Sequence, residues 1–222
     1  MKLLSVNLGR ACPVPYTDHP EGVTGIDKRP VDGPVGVAAP GPKGVGGSGL
    51  AGDAIGSLRH HGGDDQAVYA MAREDLDEWQ GVLGRDLPDG VFGENLTTQG
   101  VDVSGALIGE RWRIGPDVVL EVTSGRIPCR TFQGHLGESG WVKRFTERGA
   151  PGAYLRVIEP GEIRAGDTVE IVHRPDHDVT VALQFRAVTT RRDLLPRLLA
   201  AREALHPETV RTADKYVAAQ GN

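Results

Sequence analysis

ALIGERWRIG (106–115) runs directly into PDVVLEVTSG (116–125), and this pair decides the reading of the fold. Val118, Leu120 and Val122 alternate with Val119, Glu121 and Thr123. That is the period of two expected when side chains point to opposite faces of a strand. IGPD (114–117) carries the turn chemistry between the two halves. The stretch therefore predicts an antiparallel hairpin. Further strands are expected on both sides of it: KLLSVNL (2–8), QAVYAM (66–71), GAYLRVIEPG (152–161) and DTVEIVHRP (167–175), the last two joined by a turn at GEIRAG (161–166). GVTGIDKRPVDGPVGVAAPGP (22–42) reads as two short strands around the turn VDGP. VFGENLTTQGVDVSG (91–105) reads as loop with short extended pieces.

Helices are few and brief. AREDLDEWQGVLG (72–84) places Leu76, Trp79 and Leu83 at helical spacing, with Trp79 read as a core residue, and WVKRFTERG (141–149) fits a short helix. After about residue 176 the character changes. DVTVALQFRAV (178–188) is extended or the start of a helix. DLLPRLLAAREAL (193–205) is helical, with Asp193 as a candidate cap. PETVRTADKYVAAQ (207–220) is helical, with Pro207 at its start. The expected architecture is mainly β (α+β): a β-barrel or sandwich over residues 1–175, then a small helical subdomain over 176–222.

Composition bounds the function. The 222 residues are 39% hydrophobic, enough for a core, and 31 Gly with 15 Pro supply many turns. A net charge of −5 argues against a nucleic-acid-binding surface, though a local basic pocket stays open. There is no apolar run of about 18 residues and the N-terminus lacks the pattern of a secretory signal, so no membrane partner and a cytoplasmic setting are expected. Two cysteines, Cys12 and Cys129, make no disulfide framework.

Three segments hold polar residues among glycines. In RHHGGDDQAVYA (59–70), His60 and His61 are neighbours and converge on one point only in a loop; Gly62 and Gly63 permit close backbone approach. A direct metal site and a pocket wall are both readings of that pair. In FGENLTTQG (92–100), Glu94 and Asn95 offer a charge and an amide, for a ligand or for a local turn. In SGRIPCRTF (124–132), Arg126 and Arg130 flank Cys129, and nearby positive charge favours a thiolate. Cys129 is packing material, half of a disulfide, or a chemical tool. A Cys–His arrangement with His61 or His135 as base is a further reading. No Walker-type phosphate loop is expected in GPKGVGGSGLAGD (41–53), which lacks the GK[ST] ending.

Taken together, TGIDKRPV (24–31), GDAIGSLRHHGGDDQAVYAM (52–71), GVFGENLTTQGVD (90–102), IGERWRIG (108–115), LEVTSGRIPCRTF (120–132) and GAYLRVIEPGEIRAGDTVEI (152–171) resemble the MOSC domain, the module at the C-terminus of molybdenum-cofactor sulfurases. The tail resembles the three-helix extension of the stand-alone bacterial subgroup. The resemblance implies a β-barrel that binds the molybdenum cofactor, with Cys129 as molybdenum ligand or sulfur carrier. It places His60, His61, Gly62, Gly63, Glu94, Asn95 and Arg126 in the cofactor-binding motifs, and Lys28, Arg126 and Arg130 toward the pterin's phosphate. The implied activity is reduction of N-hydroxylated compounds such as hydroxylaminopurines. Electrons would come from a partner protein, because no flavin or iron–sulfur motif is present. The alternative is a carrier of cofactor or persulfide without turnover. The chain has no pyridoxal phosphate site of its own.

Overall fold

The computed structural model describes residues 1–17 and 19–220. In chain order the strands and helices are β1 (Lys2–Gly9), β2 (Cys12–Pro13), β3 (Val23–Thr24), β4 (Lys28–Pro30), β5 (Val35–Val37), β6 (Val68–Ala72), α1 (Arg73–Leu83), β7 (Leu96–Gln99), β8 (Arg111–Ile114), β9 (Val118–Ser124), α2 (Arg130–Leu136), α3 (Trp141–Arg148), β10 (Ala153–Glu159), β11 (Gly161–Ile163), β12 (Val169–His173), α4 (Val181–Thr189), α5 (Leu195–Leu198) and α6 (Pro207–Gln220).

The hairpin forms as the alternation predicts: β8 and β9 pair antiparallel, with Ile114 opposite Val118 and Arg111 opposite Glu121. Around it grows an eight-stranded sheet in the order β12-β8-β9-β10-β6-β7-β1-β4. Only β6 and β7 run parallel within it. The sheet curls until β12 and the turn before it come against the N-terminal half of β1. Leu3 N–H donates to Asp167 O at 2.9 Å, Gly166 N–H to Leu3 O at 2.8 Å and Val169 N–H to Met1 O at 3.0 Å. The closure is one bridge, Lys2 to Thr168, and not a full ladder. The expected barrel is thus a curled sheet fastened at a single seam.

Two apolar cores fill the molecule. One lies inside the curl, with Leu3, Trp112, Leu120 and Leu155, and continues into Leu195, Leu198, Leu205 and Ala213 of the helical tail. The tail therefore shares the core of the sheet. The second is aromatic. Trp79 of α1, Phe92, Phe132 of α2, and Trp141 and Phe145 of α3 meet at ring separations between 4.5 and 6.5 Å. Aromatic pairs at such offsets add to the burial of their area.

Several local expectations need correction. GEIRAG is not only a turn: β11 pairs with β5, taking that strand away from a hairpin with β4, which pairs with β1. Residues 12–13 also form a short strand, which pairs with residues 23–24 of the stretch read as strand. α2 begins directly after Cys129, in a stretch with no amphipathic repeat long enough to reveal it. Asp193 does not cap a helix. Its carboxylate accepts from Arg191 at 2.9 and 2.8 Å, and the tail breaks into short turns on either side of α5. In residues 178–188 both readings hold in turn: Ile108 N–H donates to Val179 O, and Thr180 then caps α4 by accepting from Leu183 N–H at 3.1 Å. Among the described residues no helix is long and apolar enough to cross a membrane.

Candidate functional site

β9 ends at Ser124 and α2 starts at Arg130, and the irregular segment between them forms one wall of a cleft of about 1020 Å³. Lys28, His60, His61, Gly62, Asn95, Arg126 and Cys129 all line it. Segments separated by as much as a hundred residues thus converge, because β1, β6, β7 and β9 open their ends toward the same side of the curled sheet. Gly63, Glu94 and Arg130 lie outside the lining.

Arg126 is the most unusual group. It is 6% exposed, yet among the described residues it has no carboxylate within ion-pair distance. Its guanidinium donates to Phe92 O and lies 4.2 Å from the Phe132 ring centroid and 5.0 Å from that of Tyr69. Tyr154, its ring tilted by 40° and 5.1 Å from that of Tyr69, completes the aromatic surround. A buried guanidinium is normally paired with a carboxylate; this one is held by a carbonyl, the Tyr69 side chain and ring faces, and keeps much of its positive field for something else.

That field shapes His61. Burial, and then Arg126, His60, Lys43 and Lys28 in that order, pull its pKa down to about 4. The imidazole is therefore neutral at neutral pH, and the cleft wall around it is cationic. Among the described residues no hydrogen bond links His61 to Cys129 or to a carboxylate, so they assemble no Cys–His–acid relay. His135, the other candidate base, belongs to a separate pocket of about 170 Å³ with Asp27, Arg29 and Arg85.

Lys28 and Asn95 do something other than expected. The Lys28 ammonium is bound to Asp53, whose side chain is 1% exposed. Burial lowers the Lys28 pKa, with Asp53 opposing that shift. Asp53 also accepts from Gly9 N–H at 2.7 Å and from the Asn95 Nδ2 at 2.9 Å. The same amide donates to Asn7 O at 3.3 Å, and its Oδ1 accepts from Tyr69 N–H at 3.1 Å. Asn95 is a clamp joining β1, β6 and the 53 loop. Asp53 is the centre of that network and was not singled out in the sequence, because its partners lie far off along the chain.

Glu94 is buried beneath the cleft. It accepts from Gly90 and Phe92 N–H at 2.5 and 2.9 Å and from the Thr97 hydroxyl at 3.1 Å. Burial raises its pKa to about 7 against those bonds. Its work is to fold the 90–94 loop, so that Phe92 O faces Arg126. Gly62 and Gly63, both at positive φ, bring their backbone against another loop. A Cβ on Gly62 would lie 2.6 Å from Gly47 O, and one on Gly63 2.6 Å from Lys43 Cα. The pair thereby seats Lys43 on the cleft wall. Arg130 is exposed on the first turn of α2.

Cys129 and Cys12 are both free thiols, which removes the disulfide reading. Cys129 is half-buried at the start of α2 and packs beside the aromatic core. Among the described residues no three His, Cys, Asp or Glu side chains form a metal cluster, so the histidine pair is not a protein-only metal site. The cleft instead offers one soft sulfur ligand, a cationic wall and a buried guanidinium with no counterion among the described residues. This donor set fits an anionic metal cofactor that brings its other ligands with it.

Sequence reasoning also missed the far wall. Gln184, His206 and Thr209 of the helical tail line the same cleft. Their polar character amid apolar helix positions was the available signal.

Comparison with known proteins identifies the family and the fold. The MOSC domain model matches residues 57–170. The uncharacterized protein YflK of Bacillus subtilis is 31% identical over 184 residues, covering 83% of this chain and 79% of that one. A Gibberella moniliformis protein named Reductase is 32% identical over 183 residues; the match takes in 81% of this chain but only 31% of that protein. In structure, YiiM from Geobacillus stearothermophilus superposes with a TM-score of 0.76 at 24% identity, over 97% of this chain and 98% of that one. The chain belongs to the MOSC domain family, whose members are associated with the molybdenum cofactor.

Proposed function

We propose that this protein binds the molybdenum cofactor in the Arg126–Cys129 cleft and reduces N-hydroxylated compounds such as hydroxylaminopurines. The observation that carries the reading is the pairing of an uncompensated buried guanidinium with a half-exposed thiol on one five-residue segment, both facing one cationic cleft. When bound, the cofactor supplies a metal centre able to take an oxygen atom and exchange electrons with substrate. Cys129 supplies a thiolate ligand. Arg126 binds the anionic part of the cofactor by charge and by its remaining N–H donors. His61, uncharged at neutral pH, offers a neutral nitrogen within a positive wall, so it does not repel a proton or a polar substrate as an imidazolium would. The net conversion takes N–OH to N–H and water with two electrons and two protons. The electrons come from an external donor protein, and the name of the Gibberella relative supports a reductive role.

Molybdenum and pterin content of protein from a molybdenum-replete host tests the reading, together with turnover of a hydroxylaminopurine supplied with a reductant. One equivalent of cofactor in the wild type, lost with turnover in Cys129→Ala, is the expected result. Wild-type levels of both in that variant would refute it. A second reading, a persulfide or cofactor carrier, is favoured by one observation: among the described residues no base or acid is hydrogen-bonded to the thiol. A persulfide on Cys129 in mass spectra, with turnover absent under several reductants, would select it.

A further inference from the structure

The helical tail does more than cover the sheet. Gln184 of α4 is 3% exposed, and the helix otherwise buries mainly apolar groups: Val181, Leu183, Phe185 and Ala187. A carboxamide in such a place needs partners. Its Oε1 accepts from Gly125 N–H at 3.0 Å, and its Nε2 donates to the Thr209 hydroxyl of α6 at 3.5 Å. Gly125 stands directly before Arg126 on the cysteine segment. It has no room for a side chain: a Cβ there would lie 2.7 Å from Pro151 Cγ and 3.2 Å from Val181 Cγ1. The segment therefore runs flush against α4. The start of α4 is in turn fixed to the loop between β7 and β8. Val181 N–H donates to Ala106 O and Ala182 N–H to Ser104 O, both at 2.9 Å.

We infer that Gln184 is a positioning residue: its carbonyl oxygen holds Gly125 and thereby sets where Arg126 and Cys129 stand in the cleft. The tail is then a part of the site, acting through one buried amide. Loss of the acceptor leaves Gly125 N–H without a partner in a buried setting, and the segment shifts to recover one. This inference rests on the reading of Cys129 as the reacting or ligating group, but its test needs no molybdenum.

The protein carries its own reference thiol, because Cys12 is exposed and lies on β2, away from the tail. Iodoacetamide labelling of both thiols is followed by mass spectrometry across a pH series, in wild type and in Gln184→Met, which keeps side-chain length without the acceptor. The Cys129-to-Cys12 rate ratio is expected to change about fivefold, the factor matching one ordinary hydrogen bond, with Cys12 itself unaffected. An unchanged ratio and pH profile in a folded variant overturns the inference. Should Gln184→Met fail to fold, hydrogen exchange of the wild-type Gly125 amide decides. Protection like that of Val122 in β9 supports the bond, whereas exchange as fast as at the exposed Asp32 and Gly33 removes it. Altered Cys129 labelling in a protein that never takes up molybdenum would leave this inference standing while the redox reading fell. Cofactor-dependent turnover with unaltered labelling would do the reverse.

Discussion

His61→Gln should change how stability depends on pH, with a sign fixed by the site. In the folded protein the imidazole titrates near 4, because burial and the Arg126 field disfavour its charged form. In the unfolded chain it titrates near its ordinary value of 6.5. Between those values the unfolded chain binds a proton that the folded chain refuses. The folded state is therefore at full strength above about pH 6.5 and loses ground as pH falls toward 4. The two pKa values differ enough to make the loss on the order of 3 kcal/mol. At this chain length that corresponds to roughly 6–12 °C in Tm. Gln cannot titrate, so the variant escapes the loss. Urea denaturation of both proteins at about pH 4, 5, 6 and 7 measures the difference directly, and the variant should gain on the wild type by that amount across the series. A stability difference equal at both ends would mean that His61 ionises freely in the fold, and that the cationic enclosed wall described here is wrong.

Three other perturbations test neighbouring parts of the site. Glu94, raised to about 7, has the opposite sign: its folded form keeps a proton that the unfolded chain releases, so its contribution is present below about pH 4.5 and lost as pH rises to 7, and Glu94→Gln should flatten that segment of the same denaturation series. Arg126→Met removes a charge-assisted bond to Phe92 O, worth about 1.5–3 kcal/mol, and also relieves the burial of an unpaired cation, worth several kcal/mol, so Tm by calorimetry should move by only a few degrees while cofactor retention falls at least roughly tenfold. Asp53→Ala strips the counterion from buried Lys28 and the acceptor from Gly9 N–H and Asn95, and should cost about 3–5 kcal/mol in urea denaturation, in contrast to Arg126→Met.

What the sequence disclosed follows from the range of the forces involved. The β8–β9 hairpin was legible because its side-chain alternation and its turn are both local. The helical tail was legible from the spacing of Leu195, Leu198 and Leu205, all buried as that spacing requires. α2 was not, since seven residues that begin at a half-buried cysteine carry too little periodicity. Within the site, Ser124–Cys129, the histidine pair and Asn95 line one cleft. Their roles were harder to read. Asn95 looked like a ligand contact because an amide offers both donor and acceptor. Only the fold shows that Asp53, 42 residues away, Asn7 and Tyr69 take up those groups. Glu94 likewise turned out to fold its own loop, and Gly62 and Gly63 to serve a loop–loop contact. Gln184 went unnoticed because a single polar residue in an apolar helix shows its purpose only once Gly125 is seen against it.

The proposed function turns on whether Cys129 meets the metal of a cofactor held by this cleft. Molybdenum K-edge absorption of the purified, cofactor-loaded protein measures it most directly, compared with Cys129→Ser loaded in the same way. The account predicts one sulfur fewer around molybdenum in the variant, at otherwise similar coordination. An identical sulfur count in both proteins would contradict it.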